Sequence, residues 1–365
     1  MSTRLHTKRG GPAHAVRFAL LAFCMAASAH AADDAKALRA AVARNAALPP
    51  APLLASDDFS RRSALREVRL SPDGASIAYV ALEGQSASLM LVTTATGEKR
   101  KLGAAPNRVQ LHWSTDGTVL FLETADGLGA VRPADGAMSK IAAFDSKLGE
   151  EMVKVDAARP QHVLVERYDA AAKQYQLARV AADGAREVLY TGPVKLRSFL
   201  IGADGTVDTI VAQAPDWQQL VSVKHADGWK VVARCKPLAA CHLQARSKDG
   251  RYLTMLSVPA DDRRALTVHD LQTGAQRIVH EDPAHLADLQ RVIAPAGTLE
   301  PALAVYDLPE RRIHGLNPQT KQLAADIVKT FPEARPDVAL AANGAALVTE
   351  AGARLTQERF WLYDA

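Results

Sequence analysis

The sequence predicts an all-β chain, a seven-bladed β-propeller with four antiparallel strands per blade and an incomplete last blade. Three observations lead there. One turn recurs at a nearly constant interval, a second turn keeps the same interval, and short apolar runs flank both.

The first turn is best formed in VRLSPDGASIAYVA, Val68 to Ala81. Two strand-like runs are folded back across Ser71-Pro72-Asp73-Gly74. Proline pre-sets φ for the first central position, and Asp-Gly supplies a side-chain cap and a residue that tolerates positive φ. Asp-Gly returns at Asp116-Gly117, Asp204-Gly205 and Asp249-Gly250. Weaker copies fall at Arg159-Pro160, Ala296-Gly297 and Asn343-Gly344. Successive copies lie roughly 43 to 48 residues apart, too close for another domain to intervene.

The second turn runs through Thr96-Gly97, Asp135-Gly136, Asp183-Gly184, Asp227-Gly228, Thr273-Gly274 and Gln319-Thr320. Each period therefore holds strands A to D, with one turn joining A to B and the other joining C to D. A β-sandwich rich in hairpins keeps no such period. Seven copies fit. In the last, VALAA, ALVTE and FWLYD supply A, B and C, and Asp364 is followed only by Ala365. The fourth strand is expected either from the N-terminal segment or from a continuation of the chain, because an open edge invites pairing.

The propeller is assigned to residues 60–365. Before it, residues 1–31 read as a secretory signal peptide. Arg4, Lys8, Arg9 and Arg17 precede the apolar run Phe18 to Ala27, and Ala29-His30-Ala31 forms a cleavage signal. The apolar core is too short to span a bilayer, so no stable membrane insertion is expected. Phe23 stands where a lipobox takes a small residue before Cys24. Residues 32–59 read as a helical segment, Asp34 to Leu48, and a Pro-rich linker opened by Pro49-Pro50. The expected location is periplasmic or secreted.

The leader carries four basic and no acidic residues, so the 44 Lys+Arg against 40 Asp+Glu of the full chain become an even balance after cleavage. Such a surface gives no electrostatic ground for nucleic acid. Cys235 and Cys241, in CKPLAAC, remain in the processed chain and are expected to form a local disulfide in an oxidising compartment. The histidines, among them His112, His225, His242 and His269, are scattered and share no equivalent blade position. Neither a metal nor another cofactor is expected.

The opening segment PLLASDDFSRRSALREVRLSPDGASIAYVA resembles the start of exported prolyl oligopeptidase-like serine peptidases, the S9 group of dipeptidyl and acylaminoacyl peptidases. The segment TQERFWLYDA is similar to the strand that closes their last blade before an α/β-hydrolase domain. The resemblance spans roughly residues 50 to 365, all propeller. It implies a non-catalytic, substrate-gating domain that caps an active site and admits short or unfolded peptides, truncated or encoded apart from its hydrolase. The departure is large. That chemistry needs a G-x-S-x-G elbow, and the nearest match, Gly84-Gln85-Ser86-Ala87-Ser88, lacks the final glycine and the following helix. No catalytic residue can be assigned. The alternative is a stand-alone periplasmic TolB-like propeller that binds a protein.

Candidate contacts to peptide or to a hydrolase domain or protein partner are Trp217, in the B–C loop QAPDWQQ, and the arginines Arg263, Arg264, Arg311, Arg312, Arg354 and Arg359. All fall at or near B–C connections, hence on one face, where cations suit a carboxylate-bearing peptide or an acidic partner. Trp113 and Trp361 lie within strands and are expected to pack between blades. The Asp-Gly turns lie on the opposite face and are expected to be structural.

Exported material should begin at Ala32, and native protein should show no free thiol from Cys235 or Cys241. N-terminal sequencing and a thiol count check both, and two free thiols would refute the bridge.

Overall fold

The computed structural model describes residues 36–48 and 63–364, apart from 107, 238, 240, 260–262, 309–310, 333 and 352–356. The leader, the linker and Arg354 lie outside the described residues. The chain divides into two units, Met1–Ser60 and Arg61–Ala365. In the first, residues 36–46 form a helix whose Leu38 and Val42 are exposed. Among the described residues no helix is long and apolar enough to cross a membrane.

The second unit is a propeller of seven antiparallel sheets. Blades one to five carry four strands each and begin with strands Leu65–Leu70, Gln110–Trp113, Glu151–Val155, Leu196–Ile201 and His242–Arg246. Blade six has three strands, Leu289–Ile293, Leu303–Asp307 and Arg311–Gly315. Blade seven has Asp337–Leu340, Ala346–Glu350 and Arg359–Tyr363. The A strands of blades one and two, four and five, and six and seven touch, and strand A of blade one also meets strands A and B of blade seven, so the ring closes around a central channel.

Blade six corrects the expected rhythm. Gln319-Thr320 is not a C–D turn but the first turn of a helix, Pro318–Thr330, standing in place of strand D. Asn317 caps it: its side chain accepts from the Thr320 backbone, and the Thr320 hydroxyl answers the Asn317 N–H, with Pro318 at the first helical position. The helix buries Leu323, Ala324 and Ile327 against blades six and seven.

Seven separate apolar clusters fill the seven seams between blades. Strand pleating sends alternate side chains to opposite seams. In blade two Leu120 and Leu122 face blade one, while Phe121 between them faces blade three. The seams are unequal. That between blades six and seven buries twelve residues with the helix's help, whereas that between blades seven and one buries three, Val68, Tyr79 and Leu347.

The A–B turns owe their shape to one carboxylate. Asp73 accepts from the Ser71 hydroxyl at 2.5 Å and from the Ala75 N–H at 3.0 Å. Asp116 repeats this with Ser114 and Thr118, and Asp249 with Ser247 and Arg251. The turns also touch neighbouring blades: Ala342 donates its backbone N–H to Pro72 at 2.8 Å, and Gln161 reaches Asp116 at 3.2 Å. Between blades three and four lies a buried ion cluster. Arg179, 1% exposed, donates to Asp156 at 2.5 Å, to Glu187 at 2.8 Å and to the Gly205 carbonyl at 2.9 Å.

Gly117 has φ +71°, so Gly117→Val should cost about 1 kcal/mol or more, read as a lowered thermal midpoint. Acid should loosen the same turns. The Ser71 hydroxyl holds Asp73 below its ordinary value; burial alone would raise Asp116, but Ser114 and Thr118 hold it at about 2. A carboxylate with a depressed folded pKa stabilises fully above its unfolded value and loses that contribution as pH falls through the folded one. Stability should therefore decline from about pH 4 towards pH 2, and in denaturation at graded pH the Asp116→Asn variant should show a shallower decline.

Candidate functional site

The inner A strands carry the cations Arg66, Arg69, Lys154, Arg197, Arg246 and Arg291 against the carboxylates Glu67, Glu151 and Asp337. Most are engaged. Arg69 pairs with Glu67 at 2.7 Å, Arg246 with Asp208 at 3.0 Å, and Arg291 with Asp337. Lys154 differs: its Nζ lies 4.4 Å from the Phe199 ring centroid and 3.4 Å from the Phe199 carbonyl. Its side chain keeps access to solvent yet is crowded by protein, and this desolvation pushes its pKa below the ordinary lysine value, against the opposing charge of Asp156.

A cavity of about 680 Å³ lies at the centre, lined by Arg69, His112, Trp113, Arg291 and Asp337 and reaching Gly297 in an A–B turn. His112 meets Glu123 at 2.9 Å, and the Trp113 indole donates to the Arg69 carbonyl at 3.1 Å, so Trp113 ties blade two to blade one. Among the described residues no group of three His, Cys, Asp or Glu is arranged to hold a metal.

The B–C loops define one face. Trp217 sits in the hairpin of blade four at φ +66°, 69% exposed. Arg263 and Arg264 precede strand Ala265–Asp270, Arg311 and Arg312 begin strand C of blade six, and Arg359 begins strand C of blade seven. Topology thus puts them on the face read from the sequence, but not all are available there. Arg264 is spent on the joint between blades five and six, donating to the Leu289 carbonyl at 2.6 Å and to Gln290 at 3.0 Å, while its backbone N–H meets Asp288. Arg311 pairs with Asp307 at 2.9 Å, a carboxylate shared with Arg335 at 3.3 Å. Trp217, Arg312 and Arg359 are exposed.

Cys235 and Cys241 form a disulfide, Cα–Cα 6.3 Å, at the connection from blade four to blade five. Gly84 lies in the first B–C hairpin, and Ser86 begins a strand, so no nucleophile elbow exists there. Trp361 is not enclosed between blades: it is 46% exposed, donates to Glu350 at 3.0 Å and leans on Phe331.

Two features were missed in the sequence. Lys154 meets Phe199, 45 residues on. His280, Tyr306 and His314 form a ring cluster with centroids 5.4 to 6.0 Å apart. Their only sequence signal was a histidine at the end of one blade and another in the next.

No family model matches the chain, and neither does any curated protein. Solved structures do match. A puromycin hydrolase mutant in complex with PGG aligns at TM-score 0.54 and 14% identity, covering 87% of this chain and 54% of that one. An oligogalacturonate lyase from Vibrio parahaemolyticus aligns at 0.53 and 13%, covering 83% and 90%. An oligogalacturonate lyase in complex with manganese aligns at 0.52 and 13%, covering 83% and 88%. The shared feature is the propeller fold. The chain spans about half of the hydrolase's length. Identities this low carry no activity from these proteins to the propeller.

Lys154 should be acylated by an amine-selective reagent with a rate midpoint below the ordinary lysine pKa of about 10.4. Peptide mapping across a pH series measures it, and a midpoint at or above that value would contradict the desolvated setting.

Proposed function

We propose that this chain is the non-catalytic, substrate-gating propeller of an S9-like serine peptidase, working in peptide hydrolysis after export, in the periplasm or outside the cell. The observation that carries the reading is the unequal ring. The seam between blades seven and one holds three buried residues, with six partly buried ones around them and the Ala342–Pro72 backbone bond beside them. A seam whose apolar residues are mostly only partly buried is the place where the ring could part and close again, which is what admitting short or unfolded peptides requires.

The B–C face adds support. Exposed Trp217, Arg312 and Arg359 offer an apolar platform and cations with no carboxylate partner among the described residues for a peptide or for a hydrolase domain, while the A–B face is committed to turn bonds. The likeness to a hydrolase over most of this chain is consistent with the same arrangement.

The purified chain alone should not turn over aminoacyl or peptidyl esters, since no nucleophile, base and oxyanion hole are assembled among the described residues; measurable turnover would overturn the non-catalytic reading. Reading the DNA beyond codon 365 should reveal a G-x-S-x-G hydrolase in frame or in the adjacent gene. An unrelated neighbour would favour the binding-module alternative.

A further inference from the structure

Blade six departs from the repeat, and beside that departure lies an unassigned groove of about 820 Å³. One wall is the end of blade five with His280; the other is the helix Pro318–Thr330 with Lys321 and Lys329. The floor is strand C of blade six, where Ile313 is buried and Leu316 half-buried, with the exposed Val328 of the helix beside them. In the first five blades strand D pairs with strand C; here strand C is a sheet edge, and residues 313–316 line the groove along it.

Three chemical features lie in or beside the groove. Lys321 and Lys329 are the charged residues lining the groove, both exposed, and neither has a carboxylate partner among the described residues. The apolar floor suits an aliphatic side chain. Behind it, His280 Nε2 and the Tyr306 hydroxyl are buried without a hydrogen-bond partner, an uncommon state for polar atoms. Burial pushes His280 and His314 below the ordinary imidazole value, each lowered further by a neighbouring charge (His314 for His280, Arg312 for His314) and opposed by Asp282, with Glu281 also opposing at His280. The Asp282 carboxylate is itself held by the backbone N–H groups of Ala284, Leu286 and Ala287, so it does not compete for the lysines.

We propose that this groove is a binding site for the free C-terminal residue of an extended apolar peptide. The edge strand meets the peptide backbone, Leu316 and Val328 take the side chain, and a lysine of the helix, Lys321 or Lys329, takes the carboxylate. A volume of this size lies within the range of small-ligand sites. The site is on the circumference of the ring and is independent of the gating reading of the B–C face.

The test is isothermal titration of the exported protein with acetyl-Ala-Ala-Leu as the free acid and as its C-terminal amide. The acid should bind roughly tenfold more tightly than the amide. The Lys321→Gln/Lys329→Gln double variant should lose that discrimination with an unchanged thermal midpoint, because both side chains are on the surface. Equal affinity for acid and amide, no saturable binding in the millimolar range, or discrimination surviving in the double variant would each overturn the site. Discrimination surviving a Trp217→Ala substitution supports its independence from the B–C face.

Discussion

A sheet of four strands has two apolar faces and no interior, so none of these blades can bury its own side chains. The structure answers that constraint by making every core a property of two neighbours. Phe121 serves the seam on one side of its strand and Leu120 and Leu122 the seam on the other. Strand pleating, turn geometry and ring closure all follow from it, since a blade that slipped by one residue would exchange the contents of both its seams.

The division between the two faces has the same origin. At the A–B turns each carboxylate is consumed by its own loop, and several turns reach across to the next blade, as Ala342 does to Pro72 and Gln161 to Asp116. That face fastens the ring. The B–C loops vary in length and include the hairpin that exposes Trp217 and the connections on which Arg312 and Arg359 stand. Variation is tolerated where little else depends on the loop, the Arg264 joint to blade six being an exception.

The rhythm of Asp-Gly turns was legible because the turn chemistry is local: Ser71, Asp73 and Gly74 specify it within four residues. Blade six was misread because Gln319-Thr320 fell on the beat, although Asn317-Pro318 and the spacing of Leu323, Ala324 and Ile327 were helix signals in plain view. Among the site residues, placement was legible and partnership was not. Arg264 stands where its loop puts it, but Asp288 and Leu289 belong to the next blade. Neighbours in a propeller are about 45 residues apart in sequence, and bulges such as that between Leu164 and Val165 shift which side chains meet. Lys154 with Phe199, and His280 with Tyr306 and His314, are therefore products of the assembled ring alone.

Arg179 shows how far the blades have drifted from being copies. Its guanidinium is shared among Asp156 and Glu187 of its own blade and the Gly205 carbonyl of the next, with almost no access to water. A charge so enclosed tolerates no neighbour that fails to complete its set of acceptors. Serine occupies the place of Asp156 in blades one, two and five. An arginine at the Arg179 position of those blades would therefore meet a hydroxyl where blade three offers a carboxylate. The repeat is periodic to the eye and addressed in detail: a side chain copied from one blade into the same place in another arrives without the acceptors that suit it.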